Sequence, residues 1–120
     1  MAGYDTVISM EPEKLIDYMF DTFVEDVPVS IVSIEDMKKA SELLLKLSSS
    51  YSYLCALLSY AKVKCREAKR NLSKAEYEDM VDKKDIISNI TEAVKHQYAA
   101  VSRSVTIHIE NNNELKMNMR

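Results

Sequence analysis

From Met37 to Leu72 the apolar residues recur at alternating spacings of three and four without a slip: Met37, Ala40, Leu44, Leu47, Tyr51, Leu54, Leu58, Ala61, Cys65, Ala68 and Leu72. A mean spacing of about 3.5 is the a/d heptad of a helix whose seam faces other helices. Leu43, Leu45, Cys55 and Leu57 widen the stripe beyond a and d, which fits a bundle or an oligomer better than a two-stranded coil. The chain has one Gly and two Pro in 120 residues, too few for a turn-rich β protein or a disordered chain.

Both ends of this helix carry signals. In SIED, Asp36 follows Ser33 by three residues, an acidic variant of the capping box. Asn71 and Ser73 mark the break, and SKAE, Ser73 to Glu76, is a full capping box for the next helix. That helix carries Tyr77, Met80, Ile87, Ile90, Val94, Tyr98, Val101 and Val105. VTIHI, residues 105–109, alternates like a strand, but Val101, Val105 and His108 continue the helical face, so the helix is expected to reach about Glu110. Asn111 to Asn113 should end it, leaving 111–120 as a fraying tail. A turn of about three residues predicts that the two long helices pack antiparallel.

Upstream, Leu15, Ile16, Met19, Phe20, Phe23, Val24 and Val27 form one helical face, with Asp17, Asp21 and Glu25 opposite. Pro12 suits a first turn and Pro28 a stop. Residues 1–10 read as a flexible N-terminus, 11–27 as an acidic amphipathic helix and 28–33 as an extended connector or a short strand. The expected fold is all-α: a short N-terminal helix followed by a long, coiled-coil-like antiparallel hairpin, 33–72 and 74–110. Two helices alone cannot bury so wide a stripe, so a homo-oligomer is expected. Its interface would use Leu44, Leu47, Tyr51, Leu54, Leu58, Ala61 and Cys65.

The net charge of −3 hides an asymmetry. Residues 1–36 hold nine acids against one lysine, a net −8; residues 37–120 hold fifteen Lys or Arg against ten acids, a net +5. An acidic arm on a basic body suits autoinhibition, subunit pairing or an interaction tail, although two solvated faces of opposite sign would have the same composition. No apolar run approaches the roughly 20 residues needed to cross a bilayer, and MAGYDTVISMEPE has neither a basic start nor an apolar leader core. Cys55 and Cys65 lie ten apart on one helix, about 15 Å and beyond disulfide reach. Reduced thiols in a cytoplasmic protein follow.

Enzyme chemistry finds little footing. His96 and His108 are twelve apart, about 18 Å along a helix, too far to share a metal alone. CxxC, HExxH, a phosphate-cradling Gly loop and a nucleophile elbow are all missing. Glu76, Glu78, Asp79, Asp82 and Asp85 suit the positive end of a helix dipole. The chain is therefore read as non-enzymatic, with no cofactor and no metal.

The one site-like feature is basic. Tyr60, Lys62, Lys64, Arg66, Lys69, Arg70 and Lys74 crowd the end of the heptad helix around a single acid, Glu67. Cations that neutralise phosphates beside aromatics that stack on bases are what sequence-tolerant single-strand binding requires. The same charges would also favour the negative end of the helix dipole, and could pair with the acidic start of the next helix across the turn.

YLCALLSYAKVKCREAKR and residues 66–115, REAKRNLSKAEYEDMVDKKDIISNITEAVKHQYAAVSRSVTIHIENNNEL, resemble phage recombination mediators of the UvsY type, EYEDM and QYAAVSR contributing most. The resemblance spans roughly residues 37–115 and leaves the acidic helix out. It implies a helical oligomer that binds single-stranded DNA and assists a recombinase in displacing single-strand binding protein, with DNA contacts on Lys62 to Lys74. For a phage-encoded chain the compartment would be the host cytoplasm. Two other uses fit the residues: an inhibitor of a host or defence factor working through the acidic helix, and a virion assembly or scaffolding component.

Overall fold

The computed structural model describes residues 2–28, 30–71 and 73–118. Four helices follow in order: α1 (Tyr4–Ile8), α2 (Pro12–Phe23), α3 (Ile34–Asn71) and α4 (Lys74–Asn118). No strand occurs among the described residues. The expected all-α hairpin is present: α3 and α4 fold back on each other across a two-residue turn. The molecule is a rod of 71 × 20 × 19 Å with a radius of gyration of 19.1 Å, against about 14 Å for a compact domain of this length.

The caps explain where α3 begins. The Asp36 backbone N–H donates to Ser33 Oγ at 3.1 Å, and Asp36 Oδ2 accepts from the Val32 N–H at 3.1 Å. The Val32 bond, more than the two from Ser33, holds the Asp36 carboxyl below its ordinary range. A depressed carboxyl contributes stability that is complete above its unfolded pKa and is lost as pH falls through its folded value, so this end of α3 loosens only in acid. Ser33→Ala is expected to cost about 1 kcal/mol, read as a lowered urea midpoint with unchanged slope. At the second break, the Glu76 N–H donates to Ser73 Oγ at 3.3 Å.

On α3 the d positions carry the core. Ala40, Leu47, Leu54 and Ala61 are fully buried and Ala68 nearly so. Among the a positions only Cys65 is buried; Met37, Leu44, Tyr51 and Leu58 are half-buried, and Leu72 lies outside the described residues. Ser50 and Leu57, one position before a, are buried instead. The stripe is thus rotated toward one flank, because the N-terminal segment lies on that flank.

Within the N-terminal stretch expected to be flexible, residues 2–10 pack on the hairpin. Tyr4, Val7 and Ile8 stand at i, i+3 and i+4 on α1, and Val7 is fully buried. Tyr53 OH donates to the Ala2 carbonyl at 2.6 Å, and Lys83 Nζ donates to the Ile8 carbonyl at 2.8 Å. Five residues hold no helix by themselves; contacts to the hairpin hold this one. The chain then reverses, and α2 runs alongside α4 with Leu15, Met19 and Phe23 inward.

α2 stops at Phe23, four residues short of the expected Val27. The Gln97 side chain explains the early stop: its Oε1 accepts from the Glu25 N–H at 3.1 Å and its Nε2 donates to the Glu25 carbonyl at 2.6 Å. Those groups are thereby satisfied outside a helix. Lys46 pairs with Glu25 at 2.6 Å, and His108 Nδ1 lies 3.0 Å from the Ile31 carbonyl, so the connector is tied down to the open end of the hairpin.

α4 continues to Asn118, beyond the expected stop at Glu110. Asparagine disfavours a helix only mildly and neither Gly nor Pro is near; Asn112 Nδ2 also lies 3.1 Å from His108 Nε2, one turn back.

Candidate nucleic-acid interface

Helical periodicity splits the basic end of α3 into two flanks. Lys62 and Arg66, one turn apart, look toward α4 on the side that α1 and α2 leave open. With Cys65 and Lys84 of α4 they line an open cavity of about 390 Å³. Lys69 and Arg70, both exposed, follow Arg66 at i+3 and i+4, which extends the cationic surface toward the turn. Lys74, exposed, opens α4 at the far side of the turn.

Lys64 lies on the opposite flank. Its ammonium is 5.2 Å from the centre of the Tyr60 ring and 3.4 Å from Glu67. Bonding to Tyr60 and then the charge of Glu67 hold the Lys64 pKa up. Tyr60 in turn donates its hydroxyl to Asp5, the main cause of its raised pKa, and its ring lies 5.6 Å from Tyr4. Tyr53 belongs to the same aromatic group, 5.5 Å from both Tyr4 and Phe23. These tyrosines fasten the acidic arm to α3, so the arm meets the Tyr60 and Lys64 flank and leaves the Lys62 and Arg66 flank open.

Among the described residues, no ion pair joins the basic end of α3 to the acidic start of α4. Asp79 pairs with Lys83 at 3.0 Å and Asp85 with Lys84 at 3.4 Å, both within α4. Lys62, Arg66, Lys69, Arg70 and Lys74 make no ion pair among these residues. Cys65 forms the floor of the cavity and donates its thiol to the Met80 carbonyl at 3.3 Å. Burial pushes that thiol up, against the opposing pull of Lys84.

The residues expected at an oligomer interface divide by heptad position. Leu47, Leu54 and Ala61 are consumed inside the chain and Cys65 is buried, whereas Leu44, Tyr51 and Leu58 are half-buried along the open flank. Beside them a groove of about 220 Å³ is lined by Ser48, Tyr51, Lys95 and Tyr98.

Two lysines on α4 escaped the sequence reading. Lys84 enters the cavity because the tight turn sets the register of the hairpin. Lys83 is 7% exposed and bonds both Ile8 and Asp79; its partner belongs to a helix that periodicity does not reveal. Among the described residues no group of His, Cys, Asp and Glu is placed to hold a metal ion, and no helix is long and apolar enough to cross a membrane. No protein family, curated protein or solved structure matches the chain.

Proposed function

We propose that this chain is a non-enzymatic accessory protein that binds single-stranded DNA as a helical homo-oligomer, as a recombination or replication mediator does. The observation that carries the reading is the convergence of Lys62 and Arg66 with Lys84 around one open cavity, on the flank that the acidic arm leaves uncovered. Lys62 and Arg66, which make no ion pair among the described residues, are available to replace the counterions of a phosphate chain, while Lys84 is shared with Asp85 at 3.4 Å. Lys69 and Arg70 would carry the strand toward the turn. A recombinase or a single-strand binding protein would be the natural protein partner of such a mediator.

The test is fluorescence anisotropy with a labelled oligonucleotide at two salt concentrations. If Lys62, Arg66, Lys69, Arg70 and Lys84 each meet a phosphate, affinity should fall about a hundredfold between 50 and 200 mM salt, at a slope near −0.7 per contact. A folded protein that binds no oligonucleotide at the lower salt would end this reading.

A further inference from the structure

We infer that α2 is the docking element through which one copy of this chain binds the next, its outer ridge lying in the groove on the open flank of the neighbouring hairpin. The ridge is Ile16 and Phe20, one turn apart on α2 and 44% and 55% exposed. Their inward neighbours Leu15, Met19 and Phe23 are already used on the chain's own hairpin. Ile16 and Phe20 thus form an apolar ridge that the chain itself leaves unpartnered. Glu13, Asp17 and Asp21, all exposed, border it.

The groove answers the ridge in shape and in charge. Its volume of about 220 Å³ exceeds the roughly 150 Å³ cavity that accommodates a benzene ring. Tyr51 and Tyr98 supply aromatic walls, Tyr98 being 41% exposed. Exposed Lys95 stands at the rim and has no ion pair among the described residues. Glu92, on the same helix, lies 4.0 Å from His96. The half-buried a positions Leu44 and Leu58 continue the apolar line on either side of Tyr51. They are fourteen residues apart, about 21 Å, against about 18 Å for the twelve residues of α2. The acidic surface of one copy thus meets a lysine-rimmed groove on the next, in keeping with the −8 and +5 halves of the chain.

Ridge and groove occupy opposite sides of one molecule, so the contact is heterologous. It propagates as a ring if the rotation closes and as a filament if it does not. The inference deepens the oligomer part of the proposed function and is tested without nucleic acid, so its failure leaves DNA binding untouched.

A heterologous contact has a signature that a two-fold contact lacks. Light scattering at about 100 μM should give a mass well above the 13.7 kDa of one chain. Phe20→Asp destroys the ridge and keeps the groove; Tyr98→Glu does the reverse. Each variant alone should be a monomer with unchanged helicity by circular dichroism. Mixed in equal amounts they should form a two-chain complex and nothing larger, since one intact ridge meets one intact groove. A monomeric wild type overturns the inference, and so does a mixture that stays monomeric. Assembly unchanged in Phe20→Asp overturns it too, and would assign the ridge to a different partner, as an inhibitor protein requires.

Discussion

Phe23→Ala is expected to remove about 3–5 kcal/mol of stability, the largest effect of any single truncation in the N-terminal arm. Phe23 is 1% exposed, lies nearly parallel to the Tyr53 ring at 5.5 Å and meets the edge of Tyr18 at 6.4 Å. It therefore joins α2 to α3 and closes the aromatic group that holds α1. Truncation deletes a large apolar surface and leaves a cavity beneath a helix of only twelve residues, too short to persist without its packing. Against a total of about 5–15 kcal/mol, the loss is a large fraction. Urea denaturation checks it, and Phe20→Ala is the control: its side chain faces solvent within one chain, so at dilute concentration it should change stability by no more than about 0.5 kcal/mol. A wild-type midpoint for Phe23→Ala would mean that the arm does not pack as described. The same burial makes deletion of residues 1–30 a poor test of arm function, because it would remove Val7, Ile8, Leu15, Met19 and Phe23 from the shared core.

The seam of α3 was legible because a heptad is a geometric statement: eleven apolar residues in strict alternation can lie only on one helical stripe. The SIED cap was legible because its chemistry is local. Which flank of the stripe would be covered was not legible. Ser50, a polar residue, is buried while Leu44 is half-exposed, and that inversion depends on where a distant segment folds back. The helix of Tyr4, Val7 and Ile8 is too short to announce itself by period.

Lys84 was within reach of the sequence. Once a two-residue turn joins antiparallel helices, the numbers of facing residues add to a constant. Cys65 and Met80 give 145, and Lys62 with Lys84 and Tyr51 with Lys95 give 146. Applying that register to SKAE and the DKKD run brings Lys84 to the basic cluster before any coordinates are known. The same register puts Lys95 beside Tyr51. What the register cannot supply is the division of Lys62 from Lys64, which rests on the arm occupying one flank through Asp5 and Tyr60.

That division makes the charge-reversal experiment specific. Lys62→Glu, Arg66→Glu and Lys84→Glu combined should lower single-strand affinity by about a hundredfold at 0.1 M salt and flatten the salt dependence by about two units of slope. Three phosphate contacts at about −0.7 each produce both numbers, and reversal adds repulsion to the loss. The side chains line a solvent-open cavity, so helicity should persist. Lys64→Glu changes the total charge at the same end of the same helix, but its ammonium sits over Tyr60 and beside Glu67 on the other flank. It should leave the slope unchanged. If binding depended only on overall charge at the turn end, Lys64→Glu would flatten the slope by about a third as much as the triple variant. Equal weakening per charge would therefore place the strand around the whole end of the rod, and would remove the cavity from the account of binding.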